Sequence, residues 1–481
     1  MIIFGYSIIL LHMKYKHYDI TIPEDNPFAN CKLNRKQYAN VLTQIVSNYA
    51  DGFVMSVNGA WGTGKSTFMK MWEATLKLEG FKSVYFNAWE NDFTSDPLVA
   101  LLGEIQGAIT SEQESAFNKV LEIGGRIAHN AIPTLVKVAT KKFLGEDAAN
   151  IAEALTKEAG NVFKEEVLEY QNKKEQFVAF REELSKFIES EVEQKPLIFI
   201  VDELDRCRPD YAVEVLEHIK HFFSLKGIVF VLAIDKEQLC NAIRGHYGSD
   251  RINAEEYLRR FIDVEYILPE PNMETYCNYL YEYFQFDDFF QQPARNQHQI
   301  FRDDGDAFLQ GIVQLAREYH LSLRQIEKLC AHTRLVLRSL KSHYLFPNMT
   351  LMLIFLREYN HMAYLKIVHY ELNYQELVDF VSTIFPTKLF KQEHEYASSA
   401  MARGLAQLLY CYSQGIASTG YPKPLFKPTQ SGEKATLTVS ISYANAEYIT
   451  NAIEWYMRSY YSFSNWGYLI NSINLLSLLV D

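Results

Sequence analysis

Residues 59–66 read Gly-Ala-Trp-Gly-Thr-Gly-Lys-Ser, and the apolar run Phe-Val-Met-Ser-Val stands just ahead of them at 53–57. The spacing GxxxxGK[ST] is what a backbone needs to cradle phosphate. Its glycines let the chain curl until successive N–H groups face the phosphate oxygens. A helix opening there, continuing through Thr67–Lys77, adds its positive N-terminal end. Lys65 supplies a point charge for the β- and γ-phosphates, and the Ser66 hydroxyl is a magnesium ligand. Gly59, Ala60, Trp61, Gly62, Thr63, Gly64, Lys65, Ser66 and Thr67 are therefore the expected nucleotide-contacting residues. The strand before and the helix after distinguish the motif from a chance glycine-rich turn.

A second apolar run, Leu197-Ile-Phe-Ile-Val, ends in Asp202-Glu203. A carboxylate at the end of a buried strand is placed to hold the magnesium shell, which is the role expected of Asp202. Glu203 is placed to polarise an attacking water as general base. Arg206 either caps the helix that Arg208-Pro209 opens or pairs with Asp202 or Asp205. Asp235 ends a third apolar run, Ile228–Ile234. In sheets of this kind that strand lies between the phosphate-loop strand and the Asp202 strand, which brings Asp235 toward the γ-phosphate. Asp is also a favoured helix cap, and Lys236-Glu-Gln-Leu follows it. Arg260, with Arg259, precedes the last strand and is a candidate to reach a phosphate across a subunit interface. Arg324 lies on an amphipathic helix beyond the sheet, where an arginine in a lid can touch the γ-phosphate. A surface salt bridge is the alternative for each. Trp61 and Trp89 read as core packing, with a stack on the adenine as the other possibility, and Glu90 adds a polar group near the top of the sheet.

Between and after these motifs the pattern alternates. A helix is expected over 33–50, strands at 53–57, 82–89, 196–202, 228–235 and 263–269, and helices at about 209–224, 236–246 and 254–262. Strands alternating with helices imply a parallel sheet covered on both faces. Residues 98–190 form a helical insert, softened at Gly124-Gly125 through Pro133, where a helix is expected to bend or stop. The charged, periodic segment 163–190 reads as a helix with a solvated face. From 272 onward the pattern is helical. Residues 412–440 read as a long loop, with 435–442 as a possible strand. The expected organisation is an N-terminal segment at 1–24, a nucleotide-binding core at 25–271, a helical lid at 272–340 and a mostly helical region at 341–481. The last is aromatic (Tyr456, Tyr460, Tyr461, Phe463, Trp466) and apolar toward its end.

The 481 residues suffice for two or three domains, and 48% hydrophobic with 22% charged residues is ordinary for a globular protein. A net charge of −12 argues against a broad nucleic-acid surface, which needs clustered Lys and Arg. The six cysteines are scattered with no CxxC pair and read as reduced thiols in a cytoplasmic protein. The apolar start, residues 1–12, is too short to span a bilayer and lacks the flanks of a signal peptide. It is either a misassigned start or a short strand or anchor. No transmembrane span is expected, and peripheral membrane association stays open.

Taken together, GAWGTGKST at 59–67, FNAWE at 86–90, IVDELDRCRP at 200–209, FVLAIDKEQL at 230–239, YLRRFIDVEYILP at 257–269 and SLRQIEKL at 322–329 resemble the KAP family of P-loop NTPases, relatives of AAA+ and STAND ATPases. The stretch DNPFANCKLNRKQYA at 25–39 looks like that family's opening segment. The resemblance covers about residues 20–340. It implies an α/β fold: a P-loop NTPase additional-strand parallel sheet with a helical insert, a helical lid and a mostly helical C-terminal region. It implies ATP and Mg2+ as ligands and an ATP-driven switch, of a kind used in bacterial defence against phage or plasmids. Many members carry membrane helices in the insert, whereas this insert looks soluble. Where the family commonly has two aspartates this chain has Asp202-Glu203, which keeps a carboxylate, and Arg260 stands where Lys is common.

Four functions compete at this level. The first is an ATPase switch that self-associates on ATP binding and acts on a protein partner or trigger through 341–481. The second is a P-loop small-molecule kinase, and the third an ATP-binding, non-catalytic scaffold. The fourth, a nucleic-acid motor, is disfavoured by the acidic balance.

Overall fold

The structure, a computed structural model, describes residues 20–48, 52–94, 96–109, 113–129, 171–172, 174–189, 195–222, 225–339, 345–390, 399–417, 424–427, 436–442, 446–458 and 466–478. The expectations for residues 1–12, for Pro133, for 163–170 and for Tyr460, Tyr461 and Phe463 lie outside them. The chain divides into two compact units, one at Ile20–Glu270 and the other from Pro271 onward.

The first unit holds a five-stranded sheet in the order β2-β3-β4-β1-β5. The strands are β1 (Phe53–Asn58), β2 (Ser83–Asn87), β3 (Leu197–Asp202), β4 (Ile228–Ile234) and β5 (Val264–Ile267). All their pairings are parallel. Every residue of β4 is buried, as befits a central strand covered on both faces. Alternate side chains go to opposite layers. Ile198, Ile200, Val229 and Val231 meet α1 (Lys36–Asn48) and α2 (Lys65–Leu78) on one side. Phe199, Val201, Phe230 and Leu232 meet the other helices on the far side.

Those helices are α3 (Pro97–Ala108), α4 (Glu114–His129), α5 (174–189), α6 (Pro209–Phe222), α7 (Lys236–Tyr247) and α8 (Ala254–Leu258). Asp96 caps α3 by accepting from the Leu98 N–H, and Pro97 fits the first turn, where no N–H is needed. The Gly124-Gly125 pair does not break its helix. Gly124 is buried, and a Cβ there would stand 2.7 Å from Leu102 Cδ1 and 3.3 Å from Phe180. The glycine serves close helix packing. The charged segment that includes α5 is amphipathic: Phe180, Leu184, Phe187 and Ile188 enter the core.

The second unit is helical. It contains α9 (Met273–Tyr283), α10 (Asp287–Phe290), α11 (Pro293–Asn296), α12 (Asp304–Glu318), α13 (Leu323–Ser339), α14 (Pro347–Tyr359), α15 (His361–Val368), α16 (Tyr374–Ile384), α17 (Ala400–Ala417), α18 (Ala446–Arg458) and α19 (Trp466–Leu478). Residues Pro347–Leu356 of α14 are all buried, as expected of a helix apolar all round. Two expectations are corrected here. Residues 412–417 are helical rather than loop, because Tyr412 packs into the core of this unit. Residues 436–442 form no strand, only an isolated bridge between Phe426 and Leu437, since no longer ladder pairs with them. Among the described residues no helix is long and apolar enough to cross a membrane.

Candidate functional site

Parallel strands place the ends of β1, β3 and β4 side by side, and the motif residues lie there. β4 pairs with both β1 and β3, as expected for a sheet of this kind. The phosphate loop leaves β1 with the Gly59 N–H donating to the Ile234 carbonyl at 3.1 Å. Gly62 and Gly64 take φ of 77° and 78°, a left-handed backbone that glycine adopts without strain. Gly64 caps α2, so Lys65, Ser66 and Thr67 begin the helix and its unpaired N–H groups open toward the loop.

Lys65 is buried, and its Nζ donates to the Gly59 carbonyl at 2.5 Å. Burial pushes its pKa down, while Asp205, Asp235 and Asp202 pull the other way. Asp202 is fully buried. Its carboxylate accepts from the Tyr85 hydroxyl, from the Glu203 N–H at 2.9 Å and from the Ser66 hydroxyl. Burial raises its pKa, and the bonds from Tyr85 and Ser66 oppose that rise. The Ser66–Asp202 pair links the two groups expected at one divalent ion. No group of three His, Cys, Asp or Glu side chains able to hold a metal occurs among the described residues. An ion here would need oxygens from a bound phosphate, as magnesium commonly does.

Glu203 stands at φ 60°, an uncommon backbone for a residue with a side chain. Its Oε2 accepts from Asn87 Nδ2 at 3.3 Å, and its Oε1 pairs with Arg206 Nη1 at 2.8 Å. Arg206 thus pairs with Glu203, rather than with Asp202 or Asp205, because the short 3-10 turn Leu204–Arg206 folds its side chain back three residues. The guanidinium also lies over two indoles, 6.0 Å from the centre of Trp61 and 5.6 Å from that of Trp89. These tryptophans are not core residues, being 47% and 51% exposed. The Trp61 indole N–H donates to Asp205, whose pKa is raised by burial and lowered by Lys65.

Asp235 both caps α7, accepting from the Gln238 N–H at 3.3 Å, and accepts from the Trp61 N–H at 3.1 Å. Arg260 does not join this chain's own site. It is exposed on the turn between α8 and β5, and the neighbouring Asp263 bonds Val54 at the start of β1, the end of the sheet away from the phosphate loop. Its neighbour Arg259 pairs with Glu256. Arg324 is an exposed residue in the first turn of α13, in the other unit. Glu90 is exposed, and its N–H donates to Asn87 Oδ1.

Sequence reasoning missed four residues. Tyr85 and Asn87 lie on one face of β2, and the register sets Asn87 opposite Asp202. Polar residues alternating at the end of a strand were the available signal. Asp205 was considered only as a partner for Arg206. Arg35, buried against the loop with Nη1 donating to the Gly64 carbonyl at 3.2 Å, left no sequence signal.

The profile of the KAP family P-loop domain matches residues 34–344. Among solved structures, the chain is similar to the Aeropyrum pernix ORC2 protein in its ADPNP–ADP complexes, at 16% identity over 89% of this chain and 95% of that one, with a TM-score of 0.27. It is also similar to Drosophila ORC bound to DNA, at 12% identity over 77% and 90%, with a TM-score of 0.36. No curated protein gives a significant match.

Proposed function

Because the chain belongs to the KAP P-loop family, we propose that it binds Mg-ATP and hydrolyses it. The observation that supports this best is the convergence of Lys65, Ser66, Asp202, Glu203 and Asp235 at the ends of β1, β3 and β4. The loop N–H groups and Lys65 hold the phosphates. Ser66 and Asp202 hold magnesium, whose chemistry is to neutralise charge on the β- and γ-oxygens. Glu203 takes a proton from the attacking water. Its two oxygens accept from Asn87 and Arg206, one each, and the remaining lone pairs are available for that proton. Asp235 fixes the loop, and through it the γ-phosphate position. Arg260 serves a neighbouring copy if ATP drives self-association, and Arg324 reports nucleotide state from the second unit. The family resemblance extends this reading to a cytoplasmic switch acting on a partner through residues 341–481, in defence against phage or plasmids.

The test is steady-state ATP hydrolysis by the full chain beside Lys65→Ala and Glu203→Gln, with molecular mass measured with and without ATP. The expected result is loss of binding in the first variant. In the second, ATP is retained and turnover falls about 10²–10⁴-fold. Unchanged turnover in Glu203→Gln would refute the role of that carboxylate. An unchanged mass with ATP would refute assembly.

A further inference from the structure

Glu203 belongs to a circuit of contacts that leaves one of its oxygens and returns to the other. Oε2 accepts from Asn87 Nδ2 at 3.3 Å. Oδ1 of the same amide accepts from the Trp89 N–H at 3.1 Å and the Glu90 N–H at 3.3 Å, which holds the turn after β2. The Trp89 indole lies 5.6 Å from the Arg206 guanidinium, and Arg206 Nη1 closes the circuit on Glu203 Oε1 at 2.8 Å. A second indole reaches the guanidinium from the phosphate loop. This is Trp61, at 6.0 Å, and its ring N–H is fixed on Asp205.

A glutamate at a strand end has free side-chain torsions, and a base acts well only when its oxygen is aimed. The bond from Asn87 is neutral and long, whereas the one from Arg206 is short and charge-assisted, so Arg206 is the stronger hold. An arginine is itself a long, mobile side chain, and a guanidinium over aromatic faces loses that mobility. The two half-exposed tryptophans thereby have a use that core packing does not supply. We propose that Arg206 is a positioning residue for hydrolysis: supported by Trp89 and Trp61, it aims the Glu203 carboxylate at the attacking water. This rests on the reading of Glu203 as general base and names what holds it. Because Trp61 belongs to the phosphate loop, loop and base share one support.

The experiment compares the full chain with Arg206→Met, Arg206→Lys and Trp89→Leu, each with Glu203 intact and in the Glu203→Gln background. Turnover, KM, ATP affinity by calorimetry and ligand-free melting temperature are measured for each. Arg206→Met should lower kcat about ten- to a hundred-fold, with KM and ATP affinity unchanged. Arg206→Lys, which keeps a cationic donor, should recover part of that loss. Trp89→Leu should lower kcat about two- to five-fold. In the Glu203→Gln background none of the three should lower the residual turnover further, because the group they position is gone. Wild-type or raised kcat in Arg206→Met would overturn the inference. Weakened ATP binding with kcat kept would make Arg206 a ligand contact and overturn it too, as would equal losses in both backgrounds. Should Arg206→Met melt early, Trp89→Leu decides, since it changes an exposed side chain and leaves the arginine in place. Wild-type turnover in Glu203→Gln would instead bring down the reading of Glu203 itself.

Discussion

The peptide N–H of Trp61 donates to the carboxylate of Asp235 across 3.1 Å, tying the middle of the phosphate loop to the end of the strand beside it. The same carboxylate caps α7. One side chain therefore holds the loop and starts a helix.

Replacing Asp235 by Ala removes both bonds. A lost N-cap costs about 0.5–2 kcal/mol, and denaturant titration should register that loss. Nucleotide affinity should fall with it, because the loop loses its anchor. Asp235→Asn keeps an acceptor oxygen and should restore most of the stability. Equal loss in both variants would show that the charge, not the geometry, matters.

Asp202 is fully buried with its pKa raised, so ionisation opposes folding. In the window between its ordinary value of 3.8 and the raised value, the folded state holds the extra proton, and this residue's contribution weakens as pH rises. Asp202→Asn should therefore stabilise the ligand-free protein by about 0.5–2 kcal/mol while abolishing magnesium-dependent ATP binding. Thermal melts without nucleotide at neutral pH decide it. A lower melting temperature would mean that the bonds from Tyr85 and Ser66 outweigh the buried charge.

The second unit should carry an acid-sensitive contact. Glu358 is held down to about 2, from an ordinary 4.5, mainly by its bond to His332 and then by Lys328. The folded value lies below the unfolded one, so the stabilisation is complete above pH 4.5 and is lost as pH falls toward 2. The difference in melting temperature between wild type and Glu358→Gln should shrink as pH falls from about 5 toward 3. A pH-independent difference would assign the effect to packing.

The two adjacent glycines of α4 should respond oppositely. Gly124→Ala puts a methyl 2.7 Å from Leu102 Cδ1 and should destabilise by about 1–3 kcal/mol. Gly125→Ala meets nothing within 4 Å and should stabilise by up to about 1 kcal/mol. Chemical denaturation of the two variants side by side tests this, and like signs would refute the packing role of Gly124.

Much of the site was legible because its chemistry is local in sequence. Eight contiguous residues make the phosphate loop, and two contiguous acids end β3. The place of the Asp235 strand, between β1 and β3, also followed from the kind of sheet that the phosphate loop marks. Misreadings came where one residue type serves two ends. Gly-Gly signals a bend or a close helix contact, and only the neighbouring Leu102 and Phe180 tell which. Tryptophan signals a core, yet Trp61 and Trp89 lie half in solvent around Arg206.

The sequence by itself thus determined the phosphate-binding loop, the acidic strand end and the alternation that builds a parallel sheet, because glycine spacing, charge at a strand end and hydrophobic period act over a few residues. Tertiary structure alone decided which side chains support those groups. Tyr85 reaches Asp202, Asn87 reaches Glu203, Trp61 reaches Asp235 and Arg35 reaches Gly64. Each of these contacts joins separate elements, so its geometry is fixed by strand register and helix docking, which no local pattern in the chain encodes.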